Sequence, residues 1–294
     1  MSPNQLQRFR LAYVILTVVA TAVPPEAARA QATASTLKPF PANTNVSVRL
    51  TDGSLVYGRL ERMDADSVVI SGVAGRHAYA VSAVRELRNA GVARVRSDGT
   101  TEFWFANANT TRLFFGPTGR TLGAGEGYFA DHDVFLASAS IGITDRLQFG
   151  AGTFIIPNSD FWFVMPKVGI VRRENVNVSV GALYGGVREA NGGIGYVVGT
   201  FGSTDRSFTA GIGQGLSGAK VAGEPVFMLG GEARMSRRTA LVTENYFGAG
   251  TGEGLLMYGI RFLGEKFTFD LALMNSARSP VFPGIPYVDF VIKW

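Results

Sequence analysis

From residue 147 onward, apolar positions alternate with small or polar ones. Leu147, Phe149, Ala151 and Thr153 alternate with Gln148, Gly150 and Gly152. Val176, Val178, Val180, Ala182 and Tyr184 alternate with Asn177, Ser179 and Gly181. The same period returns at Phe208 to Ile212, at Leu256 to Phe262, at Phe267 to Leu273 and at Val288 to Trp294. A period of two marks strands with two unlike faces. Here one face is apolar and aromatic, and the other is rich in glycine and serine.

Two architectures produce this alternation. A soluble sandwich buries its apolar face; an outer-membrane barrel turns that face to lipid. Strands of about 9–11 residues match the length that a tilted membrane strand needs. Aromatics near strand ends, namely Trp162, Tyr184, Tyr196, Tyr246, Tyr258, Phe262, Phe267 and Tyr287, suit interfacial girdles. The last strand ends on Phe290, Ile292 and Trp294, the pattern expected of a C-terminal signal read by the barrel-insertion machinery. The expected fold class is therefore all-β: a transmembrane antiparallel β-barrel.

Turn lengths set the strand count. Thr144–Arg146, Arg172–Asn175, Ser203–Arg206, Ser236–Arg238 and Gly264–Lys266 are short, as periplasmic turns are. The connections at 157–160, 188–192, 214–224, 248–253 and 275–285 lie between them, most of them longer, and suit the outer side. These join eleven strands, the first ending at Ile143. Bacterial barrels have even counts, so a further strand is expected over Thr101–Phe115, with Gly116–Gly127 as the first outer loop. Twelve strands result, with ten as the fallback, in a barrel spanning 101–294.

The part before the barrel reads differently. Val46, Val48 and Leu50 alternate with Ser47 and Arg49, and Asp52-Gly53 supplies a hairpin turn. Strands follow at 55–63, 67–71, 77–81 and 84–88, with Gly58 at a bend. Residues 42–93 thus form a small unit, 94–100 a linker and 31–41 a flexible leader rich in Ala, Thr, Ser and Pro. The residues Val46 to Ser54 (V-x-V-x-L-x-D-G-S) and Tyr57 to Leu60 (Y-G-R-L) resemble a small five-stranded Sm-like or SH3-like barrel. The loop asparagine with which Sm proteins hold a base is missing after Met63, so the resemblance implies the fold and not the RNA.

Residues 1–30 carry Arg8 and Arg10, then an apolar run from Leu11 to Val23, then Ala28-Arg29-Ala30. That is the layout of a secretory signal peptide; it is too short for a membrane helix, which needs about 20 apolar residues. The whole chain has 28 Lys and Arg against 23 Asp and Glu, a net charge of +5. Loss of Arg8, Arg10, Arg29 and Glu26 lowers it by two. The basic residues are scattered, so no nucleic-acid partner is expected. With no cysteine and two histidines among 294 residues, thiolate chemistry is excluded and metal sites are tightly limited. No metal or other cofactor is expected.

Arg112 to Thr118, Gly125 to Tyr128, Gly142 to Asp145, Pro166 to Gly169 and Gly181 to Gly186 together resemble a family of uncharacterised bacterial outer-membrane β-barrels. The resemblance covers most of residues 110–190. It implies the cell outer membrane and carries no activity or catalytic residue; the N-terminal unit, ahead of the first upward strand, is expected in the periplasm.

Candidate chemistry is sparse. Gly213-x-Gly215-x-x-Gly218 matches a dinucleotide fingerprint but no helix pattern follows, so it is read as an outer loop. His132 is the barrel's one histidine. On a continuous strand Ser138 and Ser140 would lie about 20 Å and 27 Å from it, at roughly 3.3 Å per residue, beyond reach of a relay. Parity places Glu232, Arg234, Arg261, Asp270, Asp289 and Lys293 on the lumen side. Mixed signs there suit a narrow aqueous path or a lumen filled by paired ions. Three readings follow: a narrow channel for small solutes; a structural or docking protein with a plugged lumen, whose periplasmic unit binds a partner or the cell wall; and an enzyme acting on lipid at the rim. No enzymatic activity is the favoured expectation, and outer-membrane lipid is the expected surroundings.

Overall fold

The computed structural model describes residue 37 and residues 40–72, 75–95, 99–156, 159–188, 190–218, 220–249 and 253–294. The signal peptide and nearly all of the leader expected at 1–41 lie outside the described residues. The chain divides into two compact units, Met1–Trp104 and Phe105–Trp294.

The first unit is a five-stranded antiparallel sheet. Its strands are β1 (Asn45–Leu50), β2 (Leu55–Met63), β3 (Ser67–Gly72), β4 (Gly75–Ala80) and β5 (Val84–Asn89), in the order β4-β3-β2-β1-β5. A one-turn 3-10 segment, Val81–Ala83, swings the chain from β4 to β5. Val46, Val48, Leu60, Val68, Ile70 and Val84 alternate inward and form the core. Gly58 is required by close approach: a Cβ there would sit 2.7 Å from the Ser71 carbonyl oxygen. The closed small barrel expected here is not formed. No pairing joins β4 to β5 among the described residues, and the sheet stays open at both edges. Two further strands, β6 (Val92–Val95) and β7 (Thr101–Trp104), pair with each other and, among the described residues, with no other strand.

The second unit is a closed antiparallel barrel. Its strands are β8 (Gly127–His132), β9 (Leu136–Gly142), β10 (Leu147–Phe154), β11 (Trp162–Val164), β12 (Lys167–Arg172), β13 (Val176–Val187), β14 (Ala190–Gly202), β15 (Arg206–Ser217), β16 (Lys220–Val221), β17 (Val226–Arg234), β18 (Thr239–Gly248), β19 (Gly254–Leu263), β20 (Phe267–Ser276) and β21 (Ile285–Lys293). β11 and β12 are one wall strand interrupted at Pro166, which has no N–H to give. β16 is a two-residue spur on β15. The wall therefore has twelve strands, closed where β21 pairs with β8.

Twelve was the expected number, but the first strands differ from expectation. Thr101–Phe115 is not a wall strand: β7 ends at Trp104, and the chain runs inside the barrel from Phe105 to Leu122 before leaving at the rim over Gly123–Glu126. The stretch ending at Ile143 is not one strand but the hairpin β8–β9, turned at Asp133 (φ 52) and Val134 (φ 67). Gly213 and Gly215 lie within β15 rather than in an outer loop.

Large apolar side chains cover the outside, among them Phe149, Ile170, Phe208, Leu241, Ile260 and Leu271. Trp162, Tyr184, Tyr258, Phe262 and Phe267 point outward, whereas Tyr196, Tyr246 and Tyr287 sit on the inward parity with Val198, Glu244 and Asp289. The three inward tyrosines thus leave the expected girdle. A shift of one position reverses a strand residue's face.

Candidate functional site: a lumen filled by the chain's own hairpin

Residues 105–126 pass into the barrel and out again at the end that carries the short turns. The inbound arm is held first by Arg234, whose guanidinium donates to the carbonyl oxygens of Phe105 (2.8 Å) and Arg237 (2.6 Å) and to Asp205 (3.0 Å). Asn107 then donates its amide to Glu232 and to the Thr204 carbonyl. The tip is a tight hairpin. Arg112 bridges to Pro117, and the Leu113 N–H donates to the Gly116 carbonyl at 2.8 Å. The outbound arm starts with the Thr118 N–H on the Thr111 carbonyl (3.0 Å). The Gly119 N–H donates to the Thr200 hydroxyl (2.8 Å), and Arg120 reaches the carbonyls of Gly202 (2.8 Å) and Ser203 (2.9 Å). The packing leaves no room at residue 119: a Cβ would fall 2.1 Å from the Asn177 carbonyl oxygen.

Charged wall residues hold this hairpin. Arg261 grips Asp270 with two bonds, 2.9 Å and 2.7 Å, and Glu232 with a third at 2.7 Å. It also donates to the carbonyls of Asn109 and Leu113 on the hairpin. All three ionic side chains are buried. Bidentate geometry and full hydrogen bonding are what make such burial tolerable. Glu244 accepts three backbone N–H groups of the tip, from Phe114 (2.7 Å), Phe115 (3.0 Å) and Gly116 (2.9 Å), and the Tyr246 hydroxyl at 2.7 Å. Lys167 donates to the carbonyls of Thr111 (2.9 Å) and Thr118 (3.4 Å). Arg112 pairs with Asp289. Where the chain leaves the lumen, Lys293 meets Glu126 at 3.3 Å.

Of the six residues placed in the lumen by parity, Glu232, Arg234, Arg261, Asp270 and Asp289 are buried on the inner face, and Lys293 is half-buried beside Glu126. What parity does not reveal is that their partners are each other and the hairpin. Glu244 and Lys167 escaped the sequence reading, although Ala240, Val242 and Glu244 share one parity along β18. Arg112 and Arg120 lie in a segment expected as a strand followed by a loop, which hides them. Phe290, Ile292 and Trp294 are exposed at the barrel's last strand.

The hairpin β8–β9 also brings Ser138 back to His132, contrary to the distance expected on a straight strand. Ser138 Oγ lies 3.4 Å from His132 Nε2, and His132 Nδ1 lies 3.2 Å from Asp289 and 2.9 Å from the Tyr287 hydroxyl. The order serine, histidine, aspartate is that of an acyl-transfer relay. Three features oppose that chemistry. Ser138 is buried, Arg112 stands 3.5 Å from the same Nε2, and its guanidinium already neutralises Asp289. The arrangement is a buried clasp between hairpin and wall. Among the described residues no cluster of three or more His, Asp or Glu side chains could hold a metal ion.

Beyond the hairpin tip, toward the end with the longer connections, the lumen opens into a half-enclosed cavity of about 490 Å³. Phe115, Gly116 and Pro117 are its floor; Tyr196, Met257 and Met274 are on its walls.

Fold and lumen together define a closed twelve-strand antiparallel barrel filled by a segment of its own chain. No family model matches the sequence, and no curated protein matches it. Among solved structures the chain is similar to a KdgM porin, at 8% identity and TM-score 0.43, over 57% of this chain and 96% of that one. A NanC porin is similar at 10% identity and TM-score 0.39, over 57% and 97%. OmpT of Vibrio cholerae, an outer-membrane protein, is similar in a loop-deleted form at 12% identity and TM-score 0.33, over 85% and 96%.

Proposed function

We propose that this chain is an outer-membrane β-barrel protein that passes small solutes through its lumen, and that residues 105–126 shut the lumen at rest. The membrane reading is supported by the outer surface. Apolar side chains surround the wall on strand after strand, whereas soluble monomers rarely show contiguous apolar patches beyond a few hundred Å². Lipid is the partner this surface suits, and Phe290, Ile292 and Trp294 suit recognition by the insertion machinery. The short turns belong to the periplasmic side. The chain enters the lumen at that end, so the unit ending at Trp104 is assigned to the periplasm.

The observation that carries the gating reading is the way the tip is held. Its three successive N–H groups converge on one carboxylate, Glu244. Disturbing that one side chain removes three of the tip's bonds at once, leaving Arg261 on the Leu113 carbonyl and Arg112 on Asp289. The second reading is a permanently plugged structural protein whose periplasmic unit docks a partner or the cell wall. The buried Arg261 cluster favours it, since three bonds lock Arg261 to Asp270 and Glu232 on the wall and two more tie it to the hairpin carbonyls of Asn109 and Leu113.

Planar-bilayer recording separates the two. The gated reading predicts a largely silent wild type with brief openings. It predicts steady conductance steps when residues 106–122 are replaced by a short Gly-Ser segment. A replaced variant that is folded, inserted and silent overturns it.

A further inference from the structure

The cavity above the hairpin tip has a chemistry of its own. Its walls include three methionines, Met228, Met257 and Met274, with Tyr196 and Tyr287 beside them and Phe115 on the floor. The carboxylates and the imidazole that border it are already engaged, Asp133 by the Val288 N–H. Both Glu244 oxygens accept hydrogen bonds from the tip and from Tyr246. Both His132 ring nitrogens face Tyr287, Asp289, Ser138 and Arg112. An occupant therefore meets carbon, sulfur and aromatic faces and finds few free hydrogen-bond partners. A charged or sugar-like molecule would have to shed its water without replacement. A neutral apolar one loses nothing polar on entry and gains contact. The volume, about 490 Å³, falls in the range of roughly 300–1,000 Å³ typical of small-molecule sites. Methionine walls adapt to different shapes, which suits a class of ligands better than one ligand.

We infer that this cavity binds small neutral apolar molecules, aromatic hydrocarbons in particular, directly on the tip of the lumen hairpin. The inference deepens the proposed solute-passing role by naming the solute class, and it rests on that reading for the cavity's place on the outer side of the plug. The binding itself is an equilibrium property and needs no passage.

Methionine methyl NMR tests it. The chain has seven methionines, and Met235 is exposed on the outside. Protein refolded in lipid nanodiscs with labelled methionine methyls is titrated with naphthalene. Saturable ring-current shifts are expected at Met228, Met257 and Met274 and not at Met235. Leu183→Trp, which fills the cavity from its wall, is expected to abolish them; Ile194→Trp serves if that variant does not fold. Equal, unsaturable drift of every methyl means partition into lipid and overturns the inference. Contacts from the three cavity methyls to lipid chains before any naphthalene is added mean that the cavity holds an acyl chain of the membrane, and overturn it too. Saturable shifts from a protein whose hairpin-replaced form never conducts would keep the site and refute the channel.

Discussion

Glu244→Ala is the substitution on which the gating reading stands most exposed. The carboxylate is buried and receives three backbone N–H groups from consecutive tip residues. A hydrogen bond to a charged group contributes about 1.5–3 kcal/mol. Three sharing one acceptor are not additive, so the lower end of the sum, ~4 kcal/mol, is the sensible expectation. At ~1.4 kcal/mol per tenfold, the released hairpin should become on the order of a thousandfold more populated. The chain has no cysteine, so one introduced thiol reports cleanly. Ser179 is buried on the wall, with its hydroxyl 3.4 Å from the Thr118 carbonyl of the hairpin. Ser179→Cys is nearly isosteric and is covered only while the hairpin is in place. Its labelling by a water-soluble maleimide should accelerate by two to three orders of magnitude in Glu244→Ala, as ~4 kcal/mol implies. Glu244→Gln, which keeps an acceptor oxygen but loses the charge, should fall between. A labelling rate unchanged within about threefold, ~0.6 kcal/mol, in a barrel shown to be folded, refutes the reasoning.

Other expectations follow from the same contacts. Arg261→Ala leaves Asp270 and Glu232 as buried carboxylates without their cation and should destabilise the barrel by ~3–5 kcal/mol in urea unfolding; a loss under ~1 kcal/mol would contradict the network. A fluorophosphonate probe should not label Ser138, because Arg112 and the hairpin cover the His132 side; stoichiometric labelling would restore the hydrolase reading. Asp145, in the β9–β10 turn, is held below the ordinary carboxylate value of 3.8 by the Ala124 N–H and then by Arg172. Its hold on the outbound arm is therefore complete above 3.8 and is lost as pH falls through the lowered value, so the Ala124 amide shift should titrate with a midpoint below 3.8; a midpoint at or above it contradicts the contact.

The wall was legible because alternation and turn length are local. Six wall strands, β10, β13, β15, β19, β20 and β21, announce themselves by a period of two, and every short turn falls where it was expected. The hairpin was not legible because nothing local specifies it. Asn107 meets Glu232 across 125 positions, and Phe114 meets Glu244 across 130. The segment around Asn107, Asn109, Gly116, Pro117 and Gly119 has no strand period, and that absence was its one available signal. The β8–β9 turn was hidden for a different reason. Positive φ is expected of glycine, asparagine or aspartate, and here the β-branched Val134 adopts it beside Asp133. Two misplaced features, a strand that is a plug and a strand that is a hairpin, cancelled and left the count at twelve.

The central claim is that residues 105–126 lie within the barrel, and cross-linking in intact outer membranes reaches it most directly. Asn109 Nδ2 and Thr268 Oγ1 are 3.3 Å apart, one on the hairpin and one on the inner wall. With cysteine at both positions, a short bifunctional thiosulfonate should join them within one chain and compact the unfolded protein on a gel. Cysteine at Leu271, which faces outward, should give no such product with residue 109. Absence of the 109–268 product in a folded barrel, or equal joining to 271, would contradict the account.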